Sequence, residues 1–528
     1  MADGSRSSPR SDETASVPAW VRWGMPSAAD LVFVALLLTL LLTPLSVKLL
    51  GDAGIGWHIR TGQQILATRS IPRVDSFSST MEGKPWFAWE WLYDVSVGAL
   101  DSIAGLNGPV WFTAILIAAA FGWLFRLLIQ RGMNLMFALL FWLLAISAST
   151  IHFLARPHVL SWLFALASFW ILDSTEREDF TEGNRRNRLR LWLLPLLMLV
   201  WVNVHGGFLL EFMLLGIFWL GALWTWLRTG DVSLEASLRN ITAGKRVQDL
   251  TLLGAATAVT SLINPYGWKL HEHIYHYLSN RFLMDHIEEF QSPNFHGLAP
   301  RCFLLLLLLS LVLLIARGRQ LSASEALVAL FAVYAGVYAS RNIPVSSIFL
   351  AMVVGPLCAN LGSREFFTRM EKIESDLRGH LWPLLFAGTT LAIVAHGGRI
   401  GSDQLIDAHF DQNRTPVEAT SFLRTDKIKG PILGPDYWGG YLIYTLYPET
   451  KVVLDDRHDL YGSDFLKSYL KLIRVEDGWE GLLAQTNPGC LLLPRDSALA
   501  NIIGKTGGWR SVYADKLSTV FVRDRADR

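Results

Sequence analysis

Asp52 lies in the polar stretch Gly51-Asp-Ala-Gly-Ile-Gly-Trp-His-Ile-Arg60, directly after the first long apolar run. A carboxylate held at a membrane surface can act as general base toward an acceptor hydroxyl or amide, or help hold a divalent cation. Solvation of a helix end at headgroup level is the plain alternative. Glu288 and Glu289 are adjacent in His286-Ile-Glu-Glu-Phe-Gln-Ser-Pro293. Such a pair usually sends one side chain to water, which leaves at most one for chemistry, with loop solvation as the competing role. Arg341, followed by Asn342 and Pro344, offers a planar fork of donors that matches phosphate oxygens bidentately. Headgroup snorkelling is its alternative. Arg156 and His158, in Ala155-Arg-Pro-His158, raise the same phosphate chemistry at another turn. His58 and His205 could orient an acceptor or a diphosphate, although a lone histidine is more often a satisfied structural residue.

Two further clusters lie near the C-terminus. Asp455-Asp-Arg-His-Asp459 follows an expected strand, and ligands of α/β sheets favour the carboxyl ends of strands. Capping and salt bridging are the competing roles. Tyr437-Trp-Gly-Gly-Tyr441 begins an expected helix; Trp438 could stack on a sugar, while its glycines permit close packing.

The elements that must position these residues are membrane spans. Hydrophobic residues make up 51% of the 528-residue chain and charged ones only 18%, more apolar material than a soluble domain needs. A net charge of +1, with no basic stripe, excludes a nucleic-acid partner on electrostatic grounds. Cys302, Cys358 and Cys490 have neither disulfide nor metal-ligand spacing. Apolar runs long enough to cross a bilayer are read near 29–50, 109–130, 134–153, 157–175, 190–205, 207–228, 249–265, 301–317, 323–340, 344–361 and 381–397. Segments rich in Arg follow every second span, among them Arg126, Arg131, Arg177, Arg246, Arg317, Arg364 and Arg369. The positive-inside rule puts them in the cytoplasm with the N-terminus, and eleven crossings put the C-terminus outside.

The expected fold is therefore an all-α polytopic domain of about eleven transmembrane helices over 29–397, with a disordered cytoplasmic tail at 1–28. A small extracytoplasmic α/β domain follows over 398–528. External loops run over 51–108 and 266–300. Residues 86–106 contain Glu90, Asp94 and Asp101 among apolar and aromatic residues, and read as an interfacial amphipathic helix rather than a span. Residues 57–68 read as a second short amphipathic helix. Short strands are expected at 431–434, 451–455 and 490–494, with a hairpin over 509–523.

On these residues the chain resembles the GT-C superfamily of integral-membrane glycosyltransferases, which includes protein O-mannosyltransferases and aminoarabinose transferases. The likeness rests on the span-and-loop order over nearly the whole chain, on Asp52, and on Gly83-Lys-Pro-Trp-Phe-Ala-Trp-Glu-Trp-Leu92. More closely, it resembles a group of uncharacterised bacterial membrane proteins. The shared landmarks are Trp57-His58, Ile71-Pro-Arg-Val-Asp-Ser-Phe-Ser78, Arg156-Pro-His158, Asn203-Val-His-Gly-Gly207, Asn264-Pro-Tyr-Gly-Trp268 and Trp438-Gly-Gly-Tyr441.

The superfamily likeness implies transfer of a sugar from a polyprenyl-phosphate donor to an extracytoplasmic lipid, glycan or protein acceptor at a bacterial inner membrane. In that role Asp52 is general base, with Glu289 completing the carboxylate pair. Arg341, Arg156 and His205 hold the donor phosphate. His58, Asp75, Glu288 and Trp438 face the acceptor. A divalent cation, Mg or Mn, is compatible with this chemistry, but many members carry a second acid beside the first, and Ala53 and Gly54 stand there instead. A non-catalytic scaffold or a lipid-linked glycan transporter are the alternatives.

Overall fold

A computed structural model describes residues 18–182, 185–228, 234–359, 361, 373–374, 376–377 and 380–524. Most of the expected tail and the basic residues Arg364, Arg369, Lys372 and Arg378 lie outside them. The chain is mostly helical. Among the described residues six helical segments are long and apolar enough to cross a membrane: Ala19–Leu42, Asn107–Gln130, Leu135–His152, Gly206–Arg228, Leu298–Gln320 and Ser340–Cys358. They coincide with six of the eleven expected spans. The other five fall on helices that are shorter or more polar. Leu193–Trp201 has nine residues, about 14 Å at 1.5 Å each, and Ala323–Tyr338 and Leu381–Ala395 have 16 and 15. Many large apolar side chains on the long helices are exposed, Leu139, Leu143, Leu305, Leu308 and Leu311 among them, as a lipid-facing surface requires.

The first span ends earlier than its apolar run. Its helix stops at Leu42, and Leu45–Leu49 forms a separate short helix. Pro44 disfavours a helical Thr43, which is extended at φ −117°, ψ 172°. Asp52 therefore follows a broken helix.

The expected amphipathic helices are present as Ile55–Thr68 and Trp91–Ala104, packed closely on each other. A Cβ on Gly62 would lie 1.8 Å from the Asp94 carbonyl oxygen, and one on Gly98 would lie 2.7 Å from the Gln63 nitrogen. Glycine alone permits that crossing.

The C-terminal region holds a four-stranded sheet. Ile432–Leu433 runs parallel to Cys490–Pro494, which pairs antiparallel with Ser518–Arg523, which pairs with Trp509–Ala514. The expected strand at 451–455 reduces to bridges of Val452 with Ile432 and with Ser78. Those bridges stitch the first loop to the sheet: Ser79 N–H donates to the Val452 carbonyl (2.8 Å), and Val452 N–H to that of Phe77 (3.2 Å). The helix Asp436–Leu446 docks on the same loop through glycines. A Cβ on Gly440 would meet the Ala53 carbonyl oxygen at 2.3 Å, and one on Gly56 would meet that of Gly440 at 2.1 Å. One continuous apolar core runs from the long helices into this docked helix, through Ile55, Trp57, Trp438 and Leu442.

Helix Asn107–Gln130 fixes the two ends of the molecule. At its start the Asn107 side chain accepts from Ala408 N–H (2.8 Å), in the C-terminal region. Past its end, Arg131 joins an ion-pair network with Asp173, Arg177 and Glu325. Twenty-four residues separate these ends by about 36 Å, more than a hydrocarbon core of about 30 Å.

Candidate active site

The landmark motifs converge beside the docked C-terminal helix. Ala155 N–H donates to the Leu49 carbonyl (2.7 Å), which pins the Arg156 turn against the end of the broken first span. Asp52 closes its own turn by accepting from Gly54 N–H (2.8 Å). It also accepts from Arg156 Nε at 2.8 Å. On its other edge, Arg156 Nη2 donates to Asp456 Oδ2 at 2.5 Å. Trp57 Nε1–H donates to the second oxygen of Asp456 (3.1 Å).

Two carboxylates from opposite ends of the chain thus share one guanidinium. Gly54 gives this meeting its room. A Cβ there would stand 2.4 Å from Asp456 Oδ2 and 2.5 Å from Arg156 Cζ. The second acid near Asp52 comes from the C-terminal domain, and the glycine makes room for it.

The two carboxyls are pushed in opposite directions. Burial pushes Asp52 up, but Arg156, the Gly54 N–H and His158 outweigh it and hold the group below its ordinary value. Asp456 is raised to about 6, because burial and the neighbouring Asp52 and Asp455 outweigh Arg156. A divalent cation does not fit this arrangement. The guanidinium already stands between the two carboxylates, and no group of three or more metal-ligating side chains occurs among the described residues.

A second set of groups faces Arg156. His58 is fully buried, stacked on Trp57 at 3.6 Å, with Nδ1 2.6 Å from Asp94 Oδ1. Its Nε2 lies 3.3 Å from Arg156 Nη1, a donor, so Nε2 must be unprotonated and the proton sits on Nδ1. Burial, with Arg156, pushes His58 well below the usual imidazole range. Glu90 lies beyond, its carboxyl 3.8 Å from His58 Nε2 and 3.9 Å from His205 Nε2. Burial raises Glu90 to about 8, against the pull of Arg156. The Asn203 motif places both neighbours: its side chain accepts from Trp91 Nε1–H (2.8 Å), and the chain then turns to present His205.

The other expected site residues fall into three places. Arg341 Nη1 is 3.3 Å from Glu289 Oε1 and its guanidinium lies over the Phe290 ring; both charges act on Glu90, so this pair borders the same site. Glu288 lines a separate groove of about 560 Å³ with Lys48, Thr150, Asn294 and Ser340. Asp75 and Trp438 are buried instead. Asp75 is clamped by Arg457 Nη2 (2.8 Å) and the Ser78 hydroxyl (2.7 Å), and Arg457 is also bound to Asp455. Trp438 is 2% exposed and donates to the Arg414 carbonyl (2.9 Å). The Asp75–Arg457 pair ties the C-terminal region to the first loop, and the Trp438 bond is internal to that region. Neither Asp75 nor Trp438 offers an open surface to an acceptor.

The sequence offers Glu90 and Asp94 only as acids of an amphipathic helix, and Asp456 only as one acid of the Asp455–Asp459 cluster. The legible signal for Glu90 was an acid inside Trp86-Phe-Ala-Trp-Glu-Trp91, where the aromatic neighbours predict burial. Asp456 carried no local signal that separated it from Asp455 and Asp459.

No protein-family model matches the chain, and no curated protein matches it. Among solved structures it is similar to the Archaeoglobus fulgidus oligosaccharyltransferase, crystallised in complex with Zn and sulfate. The TM-score is 0.46 at 12% identity, over 94% of this chain and 73% of that one.

Proposed function

We propose that this is an integral-membrane glycosyltransferase that moves a sugar from a polyprenyl-phosphate donor to an extracytoplasmic glycan, lipid or protein acceptor. One observation carries the reading: Asp52 and Asp456, from two domains, meet on Arg156 beside Glu90, His205 and the Arg341–Glu289 pair. Fixed acids next to guanidinium groups suit a reaction in which an acceptor loses a proton while a phosphate leaves with negative charge. Arg341, partly exposed and paired to one carboxylate, is the group that would meet the departing lipid phosphate, with Arg156 and His205 behind it. Asp52 and Glu289 would face the acceptor as the catalytic carboxylates, with fully buried His58 acting on it only through Arg156, and Glu288 set in its own groove. The site would lie on the outer face of a bacterial inner membrane, with the N-terminus cytoplasmic.

The test is turnover of defined polyprenyl-phosphate sugars by the full-length protein in nanodiscs, read as released lipid phosphate. The wild type should release it, and Asp52→Asn should lower the rate by about 10²-fold or more. Equal turnover in the variant would remove Asp52 from the chemistry. Glu211 favours a second reading, transport of a lipid-linked glycan. It is fully buried at the start of an apolar helix, and among the described residues neither carboxyl oxygen has a hydrogen-bond partner.

A further inference from the structure

The break at Pro44 has a second effect. The short helix Leu45–Leu49 that follows it carries Lys48 into the groove that Glu288 lines. The other walls include three span ends. Thr150 and Ile151 close Leu135–His152, Leu298 opens Leu298–Gln320, and Ser340 opens Ser340–Cys358. With the end of the first span these make four, so in a membrane-spanning chain the groove lies at the depth of lipid headgroups. Below it, Leu298, Leu305, Leu308, Val312 and Ile315 are all exposed on one helix. Their intervals of about one or two turns keep them on one face, an apolar track that starts at the groove.

Two charges line this groove without partners. Lys48 and Glu288 are both exposed. Among the described residues neither side chain makes a hydrogen bond or ion pair, with the other or with any neighbour. The adjacent Glu289 is spent differently, on Arg341 (3.3 Å). Asn294 adds donors: its Oδ1 accepts from His296 N–H (3.1 Å), while its amide N–H groups meet no acceptor among the described residues. Ser340 ties the wall toward the Arg341–Glu289 pair. Its N–H donates to the Gln291 carbonyl (2.9 Å) and its hydroxyl to that of Glu289 (3.0 Å). A free cation and a free anion in one groove of about 560 Å³ fit a ligand that carries both charges.

We propose that this groove is a headgroup site for a zwitterionic phospholipid of the phosphoethanolamine class. The phosphate oxygens meet Lys48 and the Asn294 amide, and the primary ammonium meets Glu288. The acyl chains follow the apolar track from Leu298 to Ile315, which favours a lipid over free phosphoethanolamine. A phosphoglycerol headgroup would leave Glu288 facing a like charge. A trimethylammonium would bring the right charge but no hydrogen bond to the carboxylate. The site needs no glycosyl transfer and is separate from a donor phosphate at Arg341.

The test is native mass spectrometry of the full-length protein, stripped of lipid in detergent micelles. Dioleoyl phosphatidylethanolamine, phosphatidylcholine and phosphatidylglycerol are added in equal amounts. The wild type should retain the ethanolamine lipid about tenfold over the glycerol lipid, the size of one charge-assisted hydrogen bond. Phosphatidylcholine should fall between them. Lys48→Gln should lose that retention by a similar factor, and Glu288→Gln should turn the preference toward phosphatidylglycerol. Both side chains are exposed, so the variants should melt with the wild type in lipid-free detergent, and Asp52→Asn should keep the wild-type preference. Equal retention of the two lipids by the wild type, or a preference untouched by Glu288→Gln, would overturn the proposal. Displacement by glycerophosphoethanolamine at equal concentration would overturn the lipid source, and displacement by polyprenyl phosphate would give the groove to the donor. A retained ethanolamine lipid without sugar turnover would keep this site and remove only the transferase reading.

Discussion

At the residue scale, burial and shared partners decide the protonation of the site. Glu90 holds its proton more tightly in the folded protein than at its ordinary value of 4.5, because its pKa is raised to about 8. Folded-state stability from this group is therefore greatest at low pH and falls as pH rises from about 4.5 to about 8, then levels. Melting temperature should drop more between pH 5 and pH 8.5 in the wild type than in Glu90→Gln. Parallel curves would show that Glu90 is ordinary. A second prediction concerns Gly54. Its backbone is helical, at φ −59°, ψ −21°, so alanine has no conformational objection there. The added methyl group would nevertheless collide with Arg156 and Asp456. Gly54→Ala should cost turnover about as much as Asp456→Asn, with little loss of expression. Full activity in Gly54→Ala would show that the shared guanidinium is dispensable.

At the element scale, the site exists because glycines let helices and loops touch. Gly56 and Gly440 bring backbone against backbone, and this contact carries Asp456 to Arg156. Gly440→Ala puts a methyl group 2.3 Å from a backbone oxygen that has no flexible end to move. It should destabilise the docked domain by about 1–3 kcal/mol or more and increase protease cleavage between residues 398 and 436. Unchanged cleavage would mean the contact is slack.

Much of this level was legible in the sequence. The amphipathic helices after the first span, the helix at 436–446 and the hairpin at 509–523 follow from apolar periodicity and turn residues. The break at Pro44 was hidden by unbroken hydropathy from residue 29 to 50. The strand expected at 451–455 is reduced to single bridges of Val452, one to Ile432 and one to Ser78 in a loop some 370 residues earlier, a pairing no local pattern encodes.

At the scale of the whole molecule, the site is an agreement between distant segments. In the sequence Asp52, Arg156, His205 and Arg341 are separate candidates at different turns, and Asp456 is one acid of a cluster. Their types were visible in the sequence, but their meeting was not, since it depends on how the helices pack and where the C-terminal domain lands. Asp75 and Trp438 show the opposite case: types suited to an acceptor, one spent on pairing Arg457 across to the C-terminal region and the other buried inside that region. The two ends of helix Asn107–Gln130 set a topology prediction. A cysteine placed at exposed Asp403 should react with a membrane-impermeant maleimide in intact cells, and one placed at Arg319 should react only after permeabilisation. The reverse pattern would put the site in the cytoplasm, away from a lipid-carried donor.

The central claim is that this site receives a polyprenyl phosphate, and lipid binding tests it most directly. Native mass spectrometry of the nanodisc-embedded protein with polyprenyl phosphate should show one retained lipid in the wild type and its loss in Arg341→Ala. Absence of the lipid from the wild type, or equal retention by the variant, would contradict a phosphate site at Arg341 and the transferase reading built on it.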